Sequence, residues 1–214
     1  MPRNNPQFIP RKRSYTDRVA DAVEVRQRFL IVCEGKKTEP QYFKQFRATG
    51  LVVEVDGVGK NTLGLVEEAK KRRMDDEYDQ VWCVFDKDDF PIENFEKAIQ
   101  KAHENNIHVA YSNQAFELWY VLHFEYLNSA IDRKAYMKKL NNYLGFEYKK
   151  NNPDTYQILL CKIDVAIKNA ERLMQEYHPS HPGKDDPSTN VYQLVIALRE
   201  QAKPLSQAYK GNKK

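Results

Sequence analysis

The stretch FLIVCEG at residues 29–35 decides the fold together with the stretch VWCVFDKDD at residues 81–89. Each stretch opens with a run of five apolar residues, which is followed by Glu34 in the first stretch and by Asp86 in the second. A nearly continuous apolar run of this length is typical of a β-strand that is covered on both faces, as in a parallel sheet. The two stretches therefore predict buried central strands with carboxylates at their carboxyl ends.

Outward from these stretches, strand-like segments alternate with segments of helical periodicity. The predicted strands cover residues 29–33, 51–55, 81–85 and 107–111. The predicted helices cover residues 38–49, 63–74, 93–104, 116–126, 132–144 and 155–177, and Asn190 is expected to cap a last helix that ends before Pro204. The alternation indicates βαβ units around a mainly parallel sheet. We expect a doubly wound α/β domain at residues 28–127, a basic arm at residues 1–27, and a helical extension at residues 128–214 packed on the domain.

The composition argues against an integral membrane protein. The mean hydropathy is −0.76, and no apolar stretch approaches the roughly 18 residues that cross a bilayer. The first residues are basic and lack the apolar core of a secretory signal peptide. The three cysteines are far apart and odd in number, unlike a disulfide framework or a zinc site. We therefore expect a cytoplasmic protein that has no membrane partner.

The positive charge is concentrated at the start of the chain. The formal net charge is +4, and residues 1–28 carry seven Lys and Arg residues against three acidic residues, so the remainder is formally neutral. A basic arm of this kind can contact phosphates, with an affinity that falls as salt rises. The alternative is a solvated terminus that contributes only to solubility. Nucleic acid is the partner that the first interpretation predicts.

Three carboxylates are expected to meet at one edge of the sheet. Ligands of doubly wound sheets bind outside the carboxyl ends of the strands, where successive connections leave in opposite directions. Glu34 follows the first strand, and Asp86 and Asp88 follow the third. Clustered carboxylates repel one another unless a cation neutralises them, and Mg²⁺ is a hard ion suited to carboxylate and phosphate oxygens. The alternative for each residue is an ordinary turn former or helix cap.

Several other polar residues are candidates for the same edge. Glu117 begins an apolar helix, where a carboxylate is costly unless it is paired or bound to a metal; its alternative role is to complement the helix dipole. Lys36 and Lys37 lie at a strand-to-helix junction and are candidates for phosphate contact, or else solvated surface charges. Lys60 lies in a glycine-containing turn that does not match a P-loop. Asn113 precedes the Glu117 helix and can orient a phosphate or cap that helix.

These residues resemble a known family. Glu34-Gly35 after one strand and Asp86-x-Asp88 after another are similar to the Toprim domain of topoisomerases, primases and OLD-family nucleases. Four longer stretches, which together fall within residues 28–198, look like the RloB family, which is linked to restriction and abortive phage-infection loci: FLIVCEGKKTEPQYF, VWCVFDKDDF, SNQAFELWYVLHF and PSTNVYQLV. The resemblance implies a Toprim-like fold, Mg²⁺ bound by Asp86 and Asp88, and metal contact or proton transfer by Glu34.

Two functions of different classes follow from these features. The first is a Mg²⁺-dependent Toprim-like phosphodiesterase or nuclease of phage defence, with Mn²⁺ as an alternative ion. In it, Glu34, Asp86 and Asp88 are catalytic, Glu117 is a further metal ligand, and the phosphate is held by Lys36, Lys37, Lys60 and Asn113. The second is a non-catalytic component that binds nucleic acid or a companion defence protein. An aspartyl-phosphate receiver is disfavoured because only one carboxylate follows the first strand.

Overall fold

A five-stranded mixed sheet forms the centre of the protein in a computed structural model that describes residues 27–46, 52–59, 61–87, 91–150 and 152–202. The strands are β1 (Arg28–Cys33), β2 (Val52–Gly57), β3 (Gln80–Asp86), β4 (His108–Asn113) and β5 (Ser188–Thr189). Their spatial order is β2-β1-β3-β4-β5, and all neighbours are parallel except the antiparallel pair β4 and β5. The prediction of an α/β fold with a mainly parallel sheet is confirmed.

Eight helices surround the sheet in the described part of the chain. They are α1 (Thr38–Phe43), α2 (Thr62–Asp75), α3 (Ile92–Glu104), α4 (Glu117–Val121), α5 (Arg133–Leu144), α6 (Pro153–Leu160), α7 (Ile163–Gln175) and α8 (Val191–Ala202). Side-chain caps begin two of the longer helices, because Asn61 accepts from the Gly64 N–H and Asp132 accepts from the Ala135 N–H.

Both faces of the sheet are buried, because successive side chains of a strand point to opposite faces. Leu30 and Val32 of β1 belong to a core with residues of α2 and α3. Phe29 and Ile31 belong to a larger core on the other face, with residues of α1 and of α4 to α8. The helices of the C-terminal part therefore pack in one core with α1 and β1, which fixes α5 next to the carboxyl edge of the sheet.

Two helices differ from their predicted bounds. The helix expected at residues 116–126 ends at Val121 and continues as a tight turn, in which the Phe124 N–H donates to the Val121 carbonyl at 2.9 Å. The single helix expected at residues 155–177 is interrupted at Lys162, where φ is −116°. No proline or glycine marks that break, and apolar residues on both sides of it are buried in the same core.

The fifth strand was missed, and the role expected for Asn190 was wrong. β5 has only two residues, both polar, and follows a turn-rich loop, so no alternation of apolar and polar residues indicates a strand there. The Asn190 side chain bonds β4 rather than capping α8: its Oδ1 accepts from the Tyr111 N–H at 2.6 Å and its Nδ2 donates to the Val109 carbonyl at 2.9 Å. These bonds join the start of α8 to β4.

Some predictions lie outside the described residues. They concern the basic arm up to residue 26, the end of the helix expected at residues 38–49, and the side chains of Lys60 and Asp88.

Candidate functional site

The carboxyl ends of β1 and β3 bring Glu34 and Asp86 together. The two strands are neighbours, and the chain proceeds from β1 to β2 on one side and from β3 to β4 on the other, so their ends form the switch point of the sheet. The Glu34 N–H donates to the Val84 carbonyl at 2.9 Å. The Asp86 N–H in turn donates to the Glu34 carboxylate. Strand pairing and this hydrogen bond therefore fix both acidic residues at one point.

Two buried glutamates join them, and we call Glu34, Glu39, Asp86 and Glu117 the acidic cluster. Glu39, in the first turn of α1, is 6% exposed, and Glu117, at the start of α4, is 4% exposed. The Glu39 carboxylate accepts from the Gly35 N–H. A Cβ atom on Gly35 would lie 2.5 Å from both oxygens of Glu39, so the glycine leaves the space that this carboxylate occupies.

Burial and mutual repulsion raise pKa values within the acidic cluster. Burial, followed by the charges of Glu39 and Glu117, raises the pKa of Asp86 well above its ordinary value. Burial is also the main cause that raises the pKa of Glu34 to about 7, against the opposing effect of its hydrogen bond from Asp86. The pKa of Glu39 is raised by burial and by the charge of Glu117. Such a cluster favours uptake of protons or of a cation.

Basic residues line an open cleft of about 320 Å³ beside the acidic cluster. Lys36 and Lys37 are exposed at its rim, where a phosphate group can reach them. Arg133 of α5 lies close enough for its charge to lower the pKa values of Glu34 and Asp86 against the effect of burial. The Lys150 Nζ lies 3.4 Å from Glu117 Oε1. The cleft, which we call the acidic cleft, thus presents cations around buried carboxylates.

The donor set suits a hard divalent cation, although its ligand shell is incomplete in the described residues. Asp86 Oδ1 is buried and has no hydrogen-bond partner there. Glu34 lies beside it, and carboxylate oxygens are the ligands that Mg²⁺ takes in proteins. No three His, Cys, Asp or Glu side chains of the described ranges are grouped closely enough to hold a metal ion. Glu34 and Asp86 fit as two ligands, and Asp88 lies outside the described residues.

The remaining sequence candidates have different surroundings. Asn113 is 5% exposed, and its Nδ2 donates to the Asp185 carbonyl at 2.7 Å, so its amide holds the loop before β5 and does not cap α4. Glu117 Oε1 accepts from the Tyr148 hydroxyl at 3.3 Å and is paired with Lys150.

Sequence reasoning missed Glu39, Arg133 and Lys150. Glu39 carried a signal, because it stands in the first turn of a helix whose neighbours Pro40, Tyr42 and Phe43 are buried. A charged residue among buried ones marks a site or a buried pair. Arg133 and Lys150 come from the C-terminal part of the chain, and their positions depend on how that part packs, which local patterns do not reveal.

No helix within the described ranges is long and apolar enough to cross a membrane.

Comparison with known proteins gives one family. The model of the family described as "RloB-like protein" matches residues 29–198, which include the acidic cluster and most of β1 and α8. No curated protein and no solved structure gives a significant match to the chain. The matched segment spans most of the chain, and the protein therefore belongs to the RloB-like family.

Proposed function

We propose that the protein is a Mg²⁺-dependent, Toprim-like phosphodiesterase that cleaves nucleic acid in phage defence. The observation that carries the proposal is the contact of Glu34 with Asp86, two carboxylates whose pKa values are raised, at the switch point of the sheet. Perturbed carboxylates in a cleft are typical of catalytic or metal sites. The resemblance of the motifs to Toprim domains and the link of RloB proteins to phage-defence loci support the same interpretation.

The acidic residues would have separate tasks. Asp86 and Asp88 would bind Mg²⁺, with Glu34 as a further ligand or as the group that exchanges a proton. A bound Mg²⁺ supplies Lewis-acid stabilisation of the phosphate and a water of lowered pKa. Because the pKa of Glu34 is about 7, this carboxyl group can both accept and donate a proton near neutral pH. The negative charge of Glu39 acts on Asp86 and so favours cation binding there, whereas Glu117 is paired with Lys150.

The basic rim would bind the substrate phosphates. Lys36, Lys37, Arg133 and Lys150 line the acidic cleft around the carboxylates. This arrangement suits a phosphodiester, because its negative charge is attracted to the cations at the rim. The buried carboxylates would repel the phosphate unless a metal ion neutralised them. Cleavage of DNA and of RNA by the purified protein distinguishes the two substrate classes.

The experiment combines metal binding with cleavage. Mg²⁺ and Mn²⁺ are titrated by calorimetry into the wild type and into Asp86→Asn, and both proteins are then incubated with single- and double-stranded DNA and RNA. We expect Asp86→Asn to lose metal binding and cleavage while it keeps its circular dichroism spectrum. Asp164→Asn is the matched control, because this aspartate of α7 is 80% exposed, pairs with Arg199 and does not line the cleft. Equal cleavage by wild type and Asp86→Asn contradicts the proposal.

One observation favours a second function. Lys150 already pairs with Glu117, so this buried carboxylate has a counter-charge without a metal ion. Such a pair suits a non-catalytic component that binds nucleic acid or a companion defence protein. This component would bind nucleic acid with strong salt dependence, would keep that binding in Asp86→Asn, and would show no Mg²⁺-dependent cleavage.

A further inference from the structure

A second cavity shares Lys150 with the acidic cleft. It has a volume of about 110 Å³, and we call it the tyrosine pocket because four of its lining residues are Tyr42, Tyr120, Tyr148 and Tyr156. Amide side chains complete its wall, among them Gln41 and Asn152. Such a wall, aromatic with a few polar groups, is typical of a pocket for a small planar ligand.

The tyrosine rings stand at steep angles to one another. The ring centroid of Tyr42 lies 5.6 Å from that of Tyr120 and 5.7 Å from that of Tyr156, with interplanar angles of 48° and 72°. The rings of Tyr120 and Tyr148 are 6.0 Å apart at 89°. Tyr42 and Tyr120 are buried, with 1% and 6% of their surface exposed, whereas Tyr156 is partly exposed, so the ring that the pocket presents to a ligand is that of Tyr156. Aromatic faces of this kind are the surfaces on which nucleobases stack.

A buried hydroxyl in the tyrosine pocket lacks a partner. Thr155, in the first turn of α6, is 4% exposed, and its Oγ1 makes no hydrogen bond to any described residue. An unpaired buried hydroxyl costs free energy unless a ligand or a water molecule completes it. The pocket therefore offers a polar contact as well as aromatic walls, which suits a heterocycle with polar atoms on its edge better than a purely apolar group.

Two residues connect the tyrosine pocket to the acidic cluster. Tyr148 lines the pocket, and its hydroxyl donates to Glu117 Oε1 at 3.3 Å. Lys150 lines both cavities, and its Nζ lies 3.4 Å from the same oxygen. The tyrosine pocket and the acidic cleft are therefore adjacent, with Lys150 in the wall of both.

We propose that the tyrosine pocket binds one unstacked base of the nucleic acid whose phosphate lies in the acidic cleft. The proposal rests on the proposed function, and it adds that the substrate is single-stranded or carries an extruded base at the cleavage point. An unstacked base can place a ring face on Tyr156 and its edge against Thr155 and the amides. A base inside a duplex cannot reach these groups.

Saturation-transfer difference NMR tests the pocket with the full chain. The probes are the 5′-monophosphates of adenosine, guanosine, cytidine and uridine in the presence of MgCl₂, and ribose 5-phosphate is the probe without a base. We expect the base protons to receive more saturation than the ribose protons, and ribose 5-phosphate to bind at least tenfold more weakly. Stronger saturation of the ribose protons, or equal binding of ribose 5-phosphate, overturns the proposal.

Substitutions locate the binding. Thr155→Val replaces the hydroxyl with a methyl group of similar size and should weaken nucleotide binding about fivefold, whereas Thr155→Ser keeps the hydroxyl and should bind like the wild type. Tyr156→Leu should weaken binding about tenfold through lost stacking. Tyr143→Leu is the matched control, because Tyr143 is 38% exposed and stacks on Phe124 outside the pocket. If Thr155→Val and Tyr156→Leu bind like the control, the pocket is not the site.

The two proposals fail separately. Cleavage that requires Asp86, together with nucleotide binding that ignores the Thr155 and Tyr156 substitutions, overturns the base pocket alone. Nucleotide binding that depends on Thr155, without any metal-dependent cleavage, overturns the phosphodiesterase alone.

Discussion

The backbone N–H of Asp86 donates a hydrogen bond to the Glu34 carboxylate, so a residue after β1 is held by the end of β3. The bond stabilises the charged form of Glu34, yet burial has the larger effect and leaves the pKa of this residue near 7. The pairing of β1 with β3 places the two residues side by side, and burial raises the pKa of Glu34. The site therefore stores unfavourable electrostatic free energy that a cation or a proton can release.

Replacing Glu34 by glutamine should stabilise the protein at high pH. The raised pKa means that the folded state holds a proton on Glu34 between pH about 4.5 and about 7 that the unfolded state has lost. Wild-type stability therefore falls through that range and stays reduced above it. Because Glu34 is partly exposed, we expect Glu34→Gln to gain only about 1–2 kcal/mol at pH 8 and almost nothing at pH 4. Urea unfolding at both pH values measures the difference.

A gain that is the same at pH 4 and pH 8 would mean that the substitution acts through packing rather than through charge. Glu171→Gln, in α7, is a control on a glutamate that lies away from the acidic cluster.

Gly35 and Glu39 should show strong coupling in a double-mutant cycle. The methyl group of Gly35→Ala would lie 2.5 Å from both Glu39 carboxylate oxygens, and Glu39 is buried, so its carboxylate must leave its hydrogen bond with the Gly35 N–H. We expect Gly35→Ala to cost about 2 kcal/mol in the wild type and less than half of that in Glu39→Ala, where the space is free. Denaturant unfolding of the four proteins gives the coupling free energy.

Equal costs of Gly35→Ala in the two backgrounds would show that the glycine is needed for its backbone and not for the space that it gives Glu39. Gly145→Ala serves as a contrast, since nothing lies within 4 Å of its added Cβ and its cost comes from a φ of +76° alone.

The central strands and the pair Glu34 and Asp86 could be predicted from sequence because their signals are local. Apolar runs such as residues 29–33 identify strands that are buried on both faces, and the ends of neighbouring parallel strands must meet. The same reasoning could not place Arg133, whose helix was predicted correctly but whose position depends on packing against the sheet. β5 was not predicted, because the two polar residues that pair with β4 show no hydrophobic periodicity.

The tyrosine pocket could not be predicted from the sequence either. Tyr42 comes from α1, Tyr120 from α4 and Tyr156 from α6, and nothing in the local pattern of any of these helices indicates that the three rings approach one another. Their meeting follows from the shared core on one face of the sheet. Motif reasoning finds residues at strand ends more readily than pockets between helices, because strand ends are ordered by the sheet.

Lys150 should contribute to stability through Glu117, and its neighbour Lys149 should not. The Lys150 Nζ lies 3.4 Å from Glu117 Oε1, whose side chain is only 6% exposed, so removal of the ammonium group leaves a buried carboxylate that keeps the hydrogen bond from the Tyr148 hydroxyl at that oxygen. Because the lysine itself is half exposed, we expect Lys150→Met to cost about 1–2 kcal/mol at pH 7. Lys149→Met removes a contact with Glu147 in which both side chains are at least 70% exposed, so it should change stability by less than about 0.5 kcal/mol. Thermal unfolding at low and high salt compares the two variants. Similar losses of stability in both would show that Lys150 is not the counter-charge of the acidic cluster.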